Sequence, residues 1–258
     1  MPQASSLSQA VRLVLFVGLT LIGGRAGVQA QISSDAQEAQ RLARVAQVAQ
    51  QEGRLGDAVR AYQTIAVVAK GSPTIAANAH LSAGNIYMSL GKFEEAAAAF
   101  RRSLSLDANS AEAQNNLGEA LGELRQFQRA LEAFQRAVAL DSRFLKARYN
   151  MGVTYDRLGQ LKYAEFVYRI LVRDFPNFVL AYDSLAVTLS KSGRAREAIA
   201  FHEKAIRLDA KEPSFYFNFA LSYLVLGDLK RAREQQQKLR NLDPAMGERL
   251  AAVIARRK

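Results

Sequence analysis

The chain has 258 residues, 49% of them apolar and 23% charged, with five prolines, no cysteine and a net charge of +11. This balance excludes a disordered chain and a membrane bundle, and the missing thiols exclude a disulfide framework or a thiolate metal site. Alanine, glutamine, leucine and arginine dominate, and these helix formers predict an all-α protein.

In chain order, the first thirty residues come first as a separate element. Arg12 precedes an uncharged run over 13–24 (LVLFVGLTLIGG), and Val28-Gln29-Ala30 places small side chains at −3 and −1 before Gln31. This is the pattern of a secretory signal peptide. The competing reading is a retained anchor, against which Arg25 ends the run short of the ~20 residues a span needs. Export predicts a periplasmic or secreted protein. Loss of Arg12 and Arg25 would take the mature charge to +9, still basic. A lead-in over 31–38 follows, where Ser34 with Gln37 suggests a capping box.

From residue 39 the sequence repeats. Gly84, Gly118 and Gly152 recur at one fixed interval of about 34 residues, continued by Ala186 and Ala220. Alanine returns at 96, 130, 164, 198 and 232, and large side chains return at Phe100, Phe134, Tyr168, His202 and Gln236. Gly91, Gly159, Gly193 and Gly227 mark the turn inside each unit, with Arg125 in one copy. Units are expected at 39–72, 77–110, 111–144, 145–178, 179–212 and 213–244. The extra Pro73–Ala76 after Ser72 predicts that the second unit's first helix starts one turn early, capped by Ser72. A closing helix over 245–258 places Met246, Leu250, Val253 and Ile254 on one face.

Two short helices bury too little surface to stand alone, so such pairs must stack on copies of themselves. The pattern resembles the tetratricopeptide repeat family, a helix–turn–helix unit of about 34 residues. That resemblance implies an α-solenoid of antiparallel helix pairs, a right-handed superhelix whose first helices line a concave groove that holds a protein or peptide. Its groove positions fall on Asn116, Asn150 and Asn218, a row of amides suited to gripping a peptide backbone. They also fall on Tyr149, Val153, Val187, Phe217, Leu221 and Leu224. The first helix of the sixth unit, SFYFNFALSYLVLG, is apolar almost all round. It is covered either by the closing helix, by a second copy of the chain, or by a partner. Asn85, Asn116 and Lys146 match the family's carboxylate clamp, but Leu81 and Asn150 stand where basic residues belong, so that function is not carried over.

His80 and His202 both occupy packing positions with no partner apparent in the sequence. No phosphate loop, nucleophile elbow or dinucleotide fingerprint occurs, which points to a non-enzymatic chain without cofactor or metal. Charge supplies a rival reading. Between residues 228 and 258 nine basic residues face four acidic ones. Lys230, Arg231, Arg233, Arg256, Arg257 and Lys258 would let this end dock on an anionic membrane surface or cell-wall polymer. Nucleic acid fits an exported chain poorly.

Overall fold

The computed structural model describes residues 26–256. Its described residues form thirteen α-helices, one 3-10 turn and no strand, so the all-α expectation holds. The expected leader lies outside the described residues as far as Arg25. The helices divide into two compact units, meeting in sequence at Arg125 and Gln126.

The first unit holds α1 (Ala26–Gln51), α2 (Leu55–Val68), α3 (Pro73–Ser89), α4 (Phe93–Leu106) and α5 (Ala111–Glu123). Ser34 lies well inside α1, whose backbone is helical from Ala26. It therefore does not cap that helix, because the residues before it continue the helix instead. Proline opens α3 at its first position, and α3 runs 17 residues. Ser72 precedes it, but its hydroxyl makes no capping bond, so that cap is corrected to proline's preset φ alone. Ala49, Ala58, Val59 and Ile86 form one small core, with Ala39, Ile65 and Ala79 a second. Gly84 earns its place by contact: a Cβ there would lie 2.5 Å from the Phe100 ring.

The second unit holds α6 (Phe127–Leu140), α7 (Leu145–Arg157), α8 (Leu161–Asp174), α9 (Val179–Lys191), α10 (Ala195–Leu208), α11 (Pro213–Val225), α12 (Leu229–Leu242) and α13 (Pro244–Ala255). Tyr168, Leu171, Leu185 and Leu189 are buried where α8 meets α9. Tyr216, Phe219, Tyr223 and Leu239 fill a further core closed by Leu250 and Ile254 of α13. The Asp243 carboxylate accepts from the Met246 amide (2.9 Å) to start α13, and Gly247 lets α13 approach the Arg240 backbone, where a Cβ would come within 2.7 Å. Glu165, Arg169, Arg194 and Glu197 close a ring of ion pairs between α8 and α10. Burial of Glu165 opposes its ionisation, but the bonds from Arg169 and Arg194 outweigh it and hold the carboxyl below its usual range.

Each turn inside a helix pair needs one left-handed residue. Gly53, Gly91, Gly159, Gly193 and Gly227 supply it at φ of 68–79°, whereas Arg125 adopts φ 57° with a Cβ. That conformation costs a non-glycine residue about 1 kcal/mol or more. Arg125→Gly should therefore raise the urea midpoint, by the equivalent of about 1 kcal/mol. An unchanged or lower midpoint would show that the arginine side chain returns what its backbone loses.

Candidate functional site

The first helices α3 and α5 stand next to one another in the first unit, as do α7, α9 and α11 in the second. Each carries a stripe of side chains that the second helices leave uncovered. In the first unit the stripe is polar. The Asn116 side-chain N–H donates to Asn85 Oδ1 at 2.8 Å, joining α3 to α5. The Asn115 amide in turn donates to Asn116 Oδ1 (3.0 Å) and Glu119 Oε1 (2.8 Å). These amides form a chain among themselves, which uses one N–H and one oxygen lone pair of Asn116 and leaves the other of each for a ligand. Asn85 is exposed and Asn116 half-buried.

In the second unit the stripe runs over α7, α9 and α11. Lys146 is exposed; Tyr149, Asn150, Val153, Val187, Phe217, Asn218 and Leu221 are all half-buried. The Tyr149 hydroxyl lies 3.2 Å from Ser184 Oγ, and its ring packs edge-on to Phe178. Burial raises the Tyr149 phenol's pKa, with the Ser184 hydrogen bond opposing the shift. Val153 packs on the α8–α9 core, while Phe217 and Leu221 pack partly on the core that α13 closes. Leu224 departs from the expected groove. It is 7% exposed, in the cluster with Leu239, Leu250 and Ile254, because α13 covers that side of α11.

Beneath this stripe lies a buried polar cluster that the sequence reading missed. His202 is fully buried, with Nδ1 3.0 Å from Asp183 Oδ1 and Nε2 2.9 Å from Ser222 Oγ. Asn218 donates to the other Asp183 oxygen at 2.7 Å, and Ser190 Oγ sits 2.7 Å from Ser222 Oγ. A carboxylate only accepts, so Nδ1 of His202 carries a proton. Ser222 and Ser190 are rotatable hydroxyls, able to donate or accept as Nε2 requires. The order carboxylate, imidazole, hydroxyl matches that of an activated serine. Here, however, Ser222 is 1% exposed in the middle of α11, so no substrate atom reaches it. The cluster ties α9, α10 and α11 together. Its one sequence signal was a histidine in a slot otherwise filled by aromatic or long side chains.

The other histidine, His80, is half-buried, and burial first, then the Arg102 charge, lowers its pKa. Among the described residues no group of acidic residues and histidines is placed to hold a metal, and no helix is long and apolar enough to cross a membrane. Of the cationic residues, Lys230, Arg231, Arg233 and Arg256 are exposed; Arg257 and Lys258 lie outside the described residues. Arg231 is partly engaged, 3.6 Å from Asp228 and over the Tyr223 ring. Arg240 pairs with Glu248 at 3.2 Å.

Helix pairs in tandem, a glycine or alanine opposite a buried ring, and an uncovered stripe on the first helices define a repeat protein built for display. Family models described as TPR repeat or tetratricopeptide repeat match residues 84–125, 111–144, 146–177 and 179–208, and the chain belongs to the tetratricopeptide repeat family. Among solved structures it is similar to MamA, at 30% identity and a TM-score of 0.59, over 65% of this chain and 95% of that one. PilF of Pseudomonas aeruginosa matches in fold at 16% identity and a TM-score of 0.67, over 85% and 99% of the two chains. YrrB, described as a TPR protein with an unusual peptide-binding site, matches in fold at 19% identity and a TM-score of 0.56, over 67% and 91%. No curated protein sequence matches the chain.

Proposed function

We propose that this chain is an exported, non-enzymatic scaffold that holds a protein or peptide partner along the first helices of its later repeats. One observation carries the reading. On α7, α9 and α11, half-exposed Tyr149, Val153, Val187, Phe217 and Leu221 lie on helices pinned side by side by Tyr149–Ser184 and Asn218–Asp183. A stripe fixed in advance spares a ligand part of the ordering cost of binding. The fold match to a peptide-binding repeat protein supports it, as does the leader-like segment for export.

Phe217→Ala combined with Leu221→Ala should abolish partner recovery in a pull-down from the extracytoplasmic fraction, with helicity retained. Anchors of this kind contribute about 2 kcal/mol or more each. Full recovery by the double variant would remove this stripe as the binding surface. Fractionation of the host, with and without residues 1–30, tests the location.

The second reading, docking of the basic end on an anionic surface, draws support from Lys230 and Arg233, which are exposed and have no acidic partner among the described residues. Salt separates the two. Surface docking weakens steeply as ionic strength rises, whereas apolar contacts persist.

A further inference from the structure

Near the end of the stripe, Ser214, Phe217, Asn218, Met246 and Arg249 line an open hollow between α11 and α13. We infer that this hollow is the specificity site of the groove and takes an extended peptide segment carrying a large apolar side chain with an acidic one two residues along. The inference rests on the groove reading above and adds the chemistry of the ligand.

Three unused polar groups and two apolar ones define that chemistry. Arg249 is exposed and has no hydrogen bond or ion pair among the described residues, although Arg240, on the helix that α13 packs against, is paired with Glu248. Its guanidinium offers a planar set of donors that matches a carboxylate. The Ser214 hydroxyl is likewise without a partner there, although the residue's backbone N–H donates to the Glu212 carboxylate. Asn218 is oriented by Asp183: a carboxylate only accepts, so the amide nitrogen must face it. That leaves Oδ1 of Asn218 as an acceptor without a donor among the described residues.

The complement of this set is a peptide. A backbone N–H answers Asn218, an apolar side chain covers Phe217 and Met246, and a carboxylate answers Arg249 and Ser214. Alternate side chains of an extended segment share a face, which places the acid two residues from the apolar one. A bare anion would leave Phe217 and Met246 uncovered, and a purely apolar segment would desolvate Arg249 without compensation.

The test uses the full chain and four synthetic peptides, followed by amide chemical-shift titration. The first is capped at both ends and contains Leu-Ala-Asp. The second and third replace it with Leu-Ala-Asn and Ala-Ala-Asp. The fourth ends on leucine with a free carboxylate. The Leu-Ala-Asp peptide should bind about tenfold tighter than either capped control, the difference one charge-assisted hydrogen bond or one apolar anchor makes. Arg249→Gln should erase the preference for Asp over Asn while keeping that for Leu over Ala. Equal affinity for the Asp and Asn peptides, an undiminished Asp preference in Arg249→Gln, no binding of any peptide at millimolar concentration, or tightest binding of the free-carboxylate peptide would each overturn it. Should Phe217→Ala with Leu221→Ala lose a captured partner that Arg249→Gln retains in full, the groove stands and this specificity falls.

Discussion

Asp183→Ala should destabilise the second unit by about 3 kcal/mol, because it strands one fully buried donor and one half-buried donor at once. Nδ1–H of His202 and the side-chain N–H of Asn218 both donate hydrogen bonds to this carboxylate. A buried donor left without an acceptor costs about 1–3 kcal/mol, and His202 has no solvent to turn to. The loss should also change the shape of unfolding. Repeat arrays hold together through neighbour contacts, and this carboxylate on α9 links α10 to α11. Urea unfolding followed by circular dichroism should therefore become broader, with a lower slope as well as a lower midpoint. Asp183→Asn, which keeps an acceptor for His202 and loses only one bond, should cost about 1 kcal/mol. A loss under 1 kcal/mol in Asp183→Ala would show the cluster to be energetically idle.

Gly152→Val should cost about 3 kcal/mol, through overpacking. A Cβ at Gly152 would sit 2.6 Å from Cε1 of Tyr168 and 3.0 Å from Cζ. That ring is 2% exposed and lies 6.0 Å, centre to centre, from Tyr149, so it cannot simply swing into water. Burial also raises the Tyr168 phenol's pKa well above its usual range. Tyr168→Leu combined with Gly152→Val should recover at least 1 kcal/mol relative to the sum of the single changes, since touching residues couple. Simple additivity would mean that the α7 backbone, not the Tyr168 ring, absorbs the added methyl groups.

How much of this was legible depends on which physical term set each feature. The helix pairs were readable because one steric rule recurs. Gly84 faces Phe100 and Gly152 faces Tyr168, and each close approach demands the same residue pair. The one-turn extension of α3 was readable because Pro73 can open a helix but not sit inside one. Ser34 misled because a capping signature works only where the preceding backbone leaves the helix, and nothing in residues 26–33 forces it out.

The register of the stripe was legible in the repeat, but the bonds among its amides were not. Repeat register told which face Asn116 and Asn218 occupy. It did not tell that Asn85 and Asp183 already engage their amides. Those bonds join residues 31 and 35 apart, and they depend on side-chain choices in two different repeats that no single-repeat pattern contains. The same holds for His202, whose partners Asp183 and Ser222 come from helices on either side of it in sequence.

The cluster around Asp183 also limits how this array could have grown or been trimmed. Identical modules can be added or lost at will only when each boundary is generic. The boundary before residue 213 is not, because the helix beyond it carries Asn218 and Ser222, two of the groups that keep an interior acid and imidazole satisfied. A chain ending there would present both to water through an uncapped end, so the final repeat is a committed part of the molecule rather than a spare copy.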